Sequence, residues 1–256
     1  MGGTHPAVTL TALSGIPAIQ PGDDVAAILA EALDATGLTP RDRDVLVVTH
    51  KILSKAEDRY RSLEDVAPSP RARELAAATG KDAALVEVIL SESREVLRSR
   101  RELIVTEHRS GVVMANAGVD RSNVSGGPER VLLLPEDPDA SSAALRAALR
   151  TRFGVDIAVV VSDSAGRAWR NGVVGLALGA AGLPALQDLR GRNDLEGRPL
   201  EVTQVGLADE IASAAELLMG EADEGRPAVL VRGVRWHESP VMAAALIRDR
   251  EQDLFR

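Results

Sequence analysis

Two short aliphatic runs constrain this chain more than anything else in it. Asp44–Leu53 (DVLVVTHKIL) is rich in aliphatic residues and Ile157–Val161 (IAVVV) is wholly apolar, and both are short for independent helices, so each reads as a buried strand. A strand of that kind needs a layer on either side, and Ala/Leu/Arg-rich helical stretches alternate with such runs along the chain. The class is therefore mixed α and β. One helix starts from a cap at Asp23 or Asp24, runs to Ala35 and is stopped by Gly37; others span Asp139 or Ser141 to Arg152, and Ala208 to Met219. Pro70–Leu97 reads as helical in two pieces broken at Thr79-Gly80. Val8–Leu13, Val131–Leu134, Val202–Val205 and Ala228–Val231 read as further strands, and Leu103–Glu107 with Gly111–Ala115 as a hairpin around His108-Arg109-Ser110. Gly191–Pro199 is the most polar stretch and reads as a loop. With 45% hydrophobic residues but only 2% aromatic, the core must be aliphatic, and 256 residues suffice for one large domain or two modest ones.

Composition removes whole classes of chemistry. Cysteine is absent, which excludes disulfides, thiolate nucleophiles, Cys-zinc sites and iron–sulfur clusters. The four histidines are isolated, so a metal site would be built from oxygens and would favour Mg²⁺ or Mn²⁺. A formal net charge of −8 argues against bulk binding to nucleic acid or to an anionic membrane. The most apolar run, Val173–Leu186, is too short to span a bilayer, and the first residues lack a signal-peptide pattern, so a cytoplasmic location is expected. Gly80-Lys81 is followed by Asp82 and opens no phosphate loop. No G-x-G-x-x-G occurs, and the glycines at 172, 175, 179 and 182 suit close helix packing instead.

Three stretches carry candidate chemistry. Asn116–Asn123 gathers a carboxylate, a hydroxyl and two amides directly after a strand. Ser162–Arg170 puts Asp163 and Ser164 at the C-terminal end of a buried strand, with Arg167 and Arg170 close behind. A carboxylate beside a hydroxyl can hold a hard cation, and the arginines can clamp phosphate or carboxylate oxygens. Each stretch is also a plausible hydrogen-bonded turn, but two strand-terminal aspartates with adjacent arginines favour a metal–phosphate site. The third, His50–Glu57, offers Lys51 and Lys55 as point charges for phosphate, or as a solvated strand end. Arg94, Arg98 and Arg101 share one face if their segment is helical, which suits solvated surface or an anionic substrate.

Five motifs occur in order: S-G-I-P-A-I-Q-P-G-D-D (14–24), V-V-T-H-K-I-L-S-K-A-E (47–57), A-N-A-G-V-D-R-S-N-V (115–124), V-S-D-S-A-G-R-A-W-R-N-G (161–172) and L-A-D-E-I-A-S-A-A-E-L-L-M-G-E-A (207–222). Together they closely resemble the coenzyme F420-0:L-glutamate ligases, from about residue 10 to 233. The match includes the N-terminal domain of a mycobacterial fused form, whose C-terminal nitroreductase-like domain has no counterpart in 1–256. A single ligase domain is expected.

The resemblance implies an α+β fold with two subdomains, assembled as an intertwined homodimer. It implies addition of L-glutamate to the lactyl carboxylate of F420-0, or of a dehydro precursor, with GTP as co-substrate. Further γ-linked glutamate would follow. By the same resemblance Asp120 and Asp163 would hold one divalent cation, Mg²⁺ or Mn²⁺, and Ser164 with Glu221 a second. A monovalent K⁺ is a further option. The family pattern has glutamine where Glu221 stands, so this chain adds a negative charge there. Nucleotide contacts would come from Ile16, Pro17, Ala18, Ile19, His50, Lys51, Lys55 and Asn123, and from the turn Met219, Gly220, Glu221, Ala222, Asp223, Glu224, Gly225, Arg226. Lys55 and Arg167 are the expected catalytic helpers in phosphoryl transfer to the substrate carboxylate. Without the resemblance, the same residues would also suit a metal-dependent phosphohydrolase or a non-catalytic GTP-binding module.

Overall fold

The computed structural model describes residues 6–122, 124, 127 and 129–255. In chain order the first half runs β1 (Thr9–Ala12), α1 (Val25–Ala35), β2 (Val45–Thr49), α2 (His50–Ala56), β3 (Tyr60–Ser62), α3 (Pro70–Thr79), α4 (Ala83–Ser91), β4 (Ser93–Arg100), β5 (Leu103–His108) and β6 (Val113–Ala115). The second half runs β7 (Arg130–Leu132), α5 (Pro138–Phe153), β8 (Ala158–Arg167), β9 (Arg170–Ala181), β10 (Gln187–Asp188), β11 (Gln204–Val205), α6 (Leu207–Met219) and β12 (Ala228–Arg232). This is a mixed α+β architecture, as the alternation of runs requires.

The main sheet has the order β1-β12-β2-β8-β9. The two constraining runs lie side by side at its centre as a parallel pair, from Val45 opposite Ala158 to Thr49 opposite Ser162; every other pairing in this sheet is antiparallel. Period-two alternation divides their side chains between two cores. Leu46, Val48, Val159 and Val161 pack with Leu29 and Leu33 of α1 and Leu145 and Leu149 of α5. Val45, Val47 and Val160 face Ile211, Ala212 and Ala215 of α6, with Trp236 beneath. A third cluster joins α3, α4, Ile104 of β5 and Val131 of β7. Asp24 caps α1 as expected, accepting from Ala27 N–H, whereas α5 starts earlier than the expected Asp139 or Ser141, from Asp137, which accepts from Ala140 N–H; Asp82 caps α4 by accepting from Leu85 N–H. Among the described residues no helix is long and apolar enough to cross a membrane.

Four local expectations need correction. Helix over Pro70–Leu97 ends at Ser91, because Ser93–Arg100 instead pairs along β5 with two bulges. The three arginines consequently share no helical face, and Arg94 meets Glu107 at 3.3 Å. Strand over Asp44–Leu53 stops at Thr49, where α2 begins and turns Ile52 and Leu53 into the first core. Strand over Val202–Val205 shrinks to two residues, with Val202 84% exposed. The stretch read as the loop Ser162–Arg170 is an extension of the sheet. Beyond Thr49 the strand β8 has lost its parallel neighbour, and with β9 it runs on as a two-stranded arm. Trp169 at the tip is 88% exposed and rests near Phe255.

The glycines of β9 do mediate helix packing, but from a strand. A Cβ at Gly175 would overlap the Ala212 backbone and stand 2.6 Å from Glu216 Cγ, and one at Gly179 would meet Pro138 and Ser142 of α5. Gly172 has open space and a φ of +86°, so it serves the arm's turn.

Candidate functional site

The strand directions bring four of the motif segments to one edge of the main sheet. The C-terminal ends of β1 and β2, the middle of β8 at Ser162–Ser164 and the N-terminal end of β12 all lie there, which is where ligands gather in sheets with parallel strands. They enclose a cavity of about 460 Å³. Ile16–Ile19 after β1, Thr49 with Lys51 and Lys55 of α2, Asp163 and Ser164 of β8, and the turn from Met219 to Pro227 line it. Within that turn Glu224 is absent from the wall. Its carboxylate folds back over Gly220, whose φ is +76°, and accepts from Ala222 N–H at 2.9 Å. Its expected nucleotide contact is thus replaced by a bracing role in this conformation.

The cavity carries both signs of charge. Lys55 is half-buried on α2, and burial together with the neighbouring Lys51 lowers its pKa, opposed by Asp120. Lys51 Nζ lies 2.7 Å from Asp120 Oδ2 and 3.0 Å from Ser122 Oγ. Asp120 itself is pinned by a backbone bridge to Leu132, and its carboxylate accepts from Ser122 N–H at 2.7 Å and Ser122 Oγ at 3.0 Å. Burial pushes this carboxyl up, but the bonds from Lys51 and Ser122 outweigh it and hold the pKa below the usual range.

The cavity also contains a residue that sequence reading missed. Glu216 of α6 lies in the wall beside Asp163, Ser164 and Glu221. Burial first, then the charges of Glu221 and Asp163, push its pKa up to about 7, against the pull of Lys51 and His50. A signal existed in the sequence: Glu216 falls four residues after Ala212 and next to Ala215, on the buried stripe of an amphipathic helix. A carboxylate there is costly unless it has a task.

The expected metal ligands are only partly assembled. Asp163, Ser164 and Glu221 share the cavity, whereas Asp120 is engaged by Lys51 and is not in the wall. Among the described residues no three His, Asp or Glu side chains stand close enough to hold a metal ion. The donor set nevertheless fits a hard cation: carboxylate and hydroxyl oxygens, crowded enough that one carboxyl keeps its proton near neutrality. His50 is 1% exposed and lies beneath the cavity, with Nε2 3.4 Å from Asp163 Oδ1. Its side chain is not part of the cavity wall. Arg167 sits on the exposed arm, donating to Asn171 O at 3.4 Å, and is not brought to the cavity. Asn123 lies outside the described residues.

Comparison with known proteins adds a family to this geometry. Residues 15–233 match the family model described as F420-0:Gamma-glutamyl ligase. A protein of Methanopyrus kandleri named coenzyme F420:L-glutamate ligase is 48% identical over 242 residues, 93% of either chain. Proteins of the same name from Methanothermobacter thermautotrophicus and Archaeoglobus fulgidus are 45% and 44% identical. The first alignment covers 97% of this chain and 99% of the relative, the second 95% and 94%.

Proposed function

The chain belongs to the F420-0:gamma-glutamyl ligase family, and from that premise we propose that it joins L-glutamate to the terminal carboxylate of coenzyme F420-0, or of a dehydro precursor, using GTP. The observation that carries this reading is the convergence of four motif segments, separated by up to about 200 residues in sequence, on one cavity lined by both lysines and carboxylates.

The chemistry follows from the charges. A carboxylate is inert towards an amine until its oxygen becomes part of a leaving group. In the proposed first step a carboxylate oxygen of the acceptor bonds to the γ-phosphorus, the bond from that phosphorus to the β,γ-bridging oxygen breaks, and GDP departs. In the second, the amine of glutamate bonds to the acyl carbon, phosphate leaves with the acceptor's oxygen, and the amine gives up its proton. Ile16–Ile19 and the turn through Arg226 hold the nucleotide, while Lys51 and Lys55 meet its phosphate oxygens. Bound Mg²⁺ or Mn²⁺ would supply charge neutralisation there, held by Asp163, Ser164 and Glu221, with Asp120 joining once Lys51 releases it. Arg167 takes part only if the arm, from this copy or a second, folds over the phosphates. The family's two-subdomain, intertwined homodimer belongs to the same proposal: the separate cluster around α3 and α4 and the exposed arm support it, and light scattering tests it.

Mass spectrometry of protein incubated with F420-0, L-glutamate, GTP and Mn²⁺ tests the reading. A product heavier by one or more glutamyl units, with matching GDP, is expected. GDP without a heavier product would make the protein a phosphohydrolase, and binding without turnover a regulatory module.

A further inference from the structure

His50 and Ser54 stand one turn apart on α2, both almost fully buried and neither in the cavity wall. Their side chains meet: Ser54 Oγ lies 3.2 Å from His50 Nδ1, and the opposite ring nitrogen, Nε2, lies 3.4 Å from Asp163 Oδ1. A carboxylate can only accept, so Nε2 must carry the hydrogen. In the neutral ring Nδ1 is then an acceptor, and the Ser54 hydroxyl must donate to it. Asp163 Oδ1 also accepts from Ser164 N–H at 2.9 Å. Oδ1 of Asp163 is thus bonded by Ser164 N–H and faced by the imidazole of His50, and Oδ2 remains for a ligand in the cavity that Asp163 lines.

We propose that His50 and Ser54 are positioning residues, a buried relay that fixes the Asp163 carboxylate so that its second oxygen serves a divalent cation in the cavity. The inference rests on the metal reading of Asp163 but not on the identity of the acceptor. It differs from a nucleotide contact by His50, whose side chain is not part of the cavity wall. Carboxylates that bind metals are commonly held by a second set of hydrogen bonds, and losing such a bond costs about 10–100-fold in metal affinity. The 3.4 Å separation is long for a hydrogen bond, as such contacts often are before the ligand arrives.

The test is Mn²⁺ affinity, read from the electron paramagnetic resonance signal of free Mn²⁺, with no acceptor, glutamate or nucleotide present. His50→Ala should weaken binding by about 10–100-fold. His50→Gln, whose amide nitrogen can take the place of Nε2, should recover most of it, and Ser54→Ala should lose a few-fold by freeing the ring. GTP binding measured in chelator should be unchanged in all three. Thermal unfolding separates folding from positioning, since Gln and Ala at these sites leave the backbone undisturbed. Wild-type Mn²⁺ affinity in His50→Ala would overturn the inference, as would equal losses in the Gln and Ala variants, or wild-type protein that binds no Mn²⁺. If His50→Ala fails to fold, His50→Gln and Ser54→Ala decide by the same criteria. A protein that made no glutamyl product yet showed this pattern would keep the relay and lose the proposed reaction.

Discussion

At the residue scale, Glu216 carries the clearest electrostatic consequence. Its folded-state pKa is raised to about 7 from the ordinary 4.5, so between those values the native state binds more protons than the unfolded chain. Stability from this group is therefore present below about pH 4.5 and is lost as pH rises through about 7. Glu216→Gln removes the liability. In metal-free buffer the variant should gain about 1–2 kcal/mol over the wild type at pH 8, a few degrees in Tm, and only a small fraction of that at pH 5. Equal Tm differences at both pH values would show that the shift is not electrostatic. The aspartates were legible at this scale because they sit in dense motifs of Asp, Ser, Asn and Gly. Glu216 was marked only by its place on the buried stripe of α6, a weaker signal, because its neighbours are ordinary helix formers and part of its burial comes from a distant strand.

At the element scale, the approach of α6 to β9 depends on the absence of a side chain at Gly175. That approach puts Glu216 and the turn after Met219 at the cavity. Gly175→Ala should cost about 1–3 kcal/mol in denaturant unfolding, with nucleotide binding weakened beyond what the loss of folded protein explains. Wild-type stability would mean that α6 shifts freely and that the contact positions nothing. The glycine spacing was visible in the sequence; that the glycines lie on a strand was not. Helix and strand were confused in two other places for the same reason. In Ser93–Arg100 pairing with β5 overrides local propensity, and in Asp44–Leu53 the aliphatic residues on both sides of Thr49-His50-Lys51 read as one strand although the period switches there.

At the scale of the whole molecule, most of the architecture was legible because the central strands are buried on both faces and must be sandwiched. The convergence of the site was legible only through the order of the motifs. No spacing within the chain says that Ile16 and Arg226 share a wall; β1 and β12 being antiparallel neighbours puts them there. Asp120 and Arg167 were expected at the cavity and stand outside it, one held by Lys51 and the other carried off on the arm. Both departures concern residues whose place is set by tertiary contacts, the Lys51–Asp120 pair and the β8–β9 arm, which the position of a residue in the chain does not encode. In the proposed reaction this cavity activates an acceptor carboxylate by phosphoryl transfer. The measurement that tests it most directly uses F420-0 labelled with ¹⁸O in its terminal carboxylate, with GTP, glutamate and Mn²⁺, and reads the isotope content of the released phosphate. Transfer of one labelled oxygen into phosphate for each amide formed is predicted; unlabelled phosphate would mean that water, not the acceptor, attacks the nucleotide, and would contradict the account.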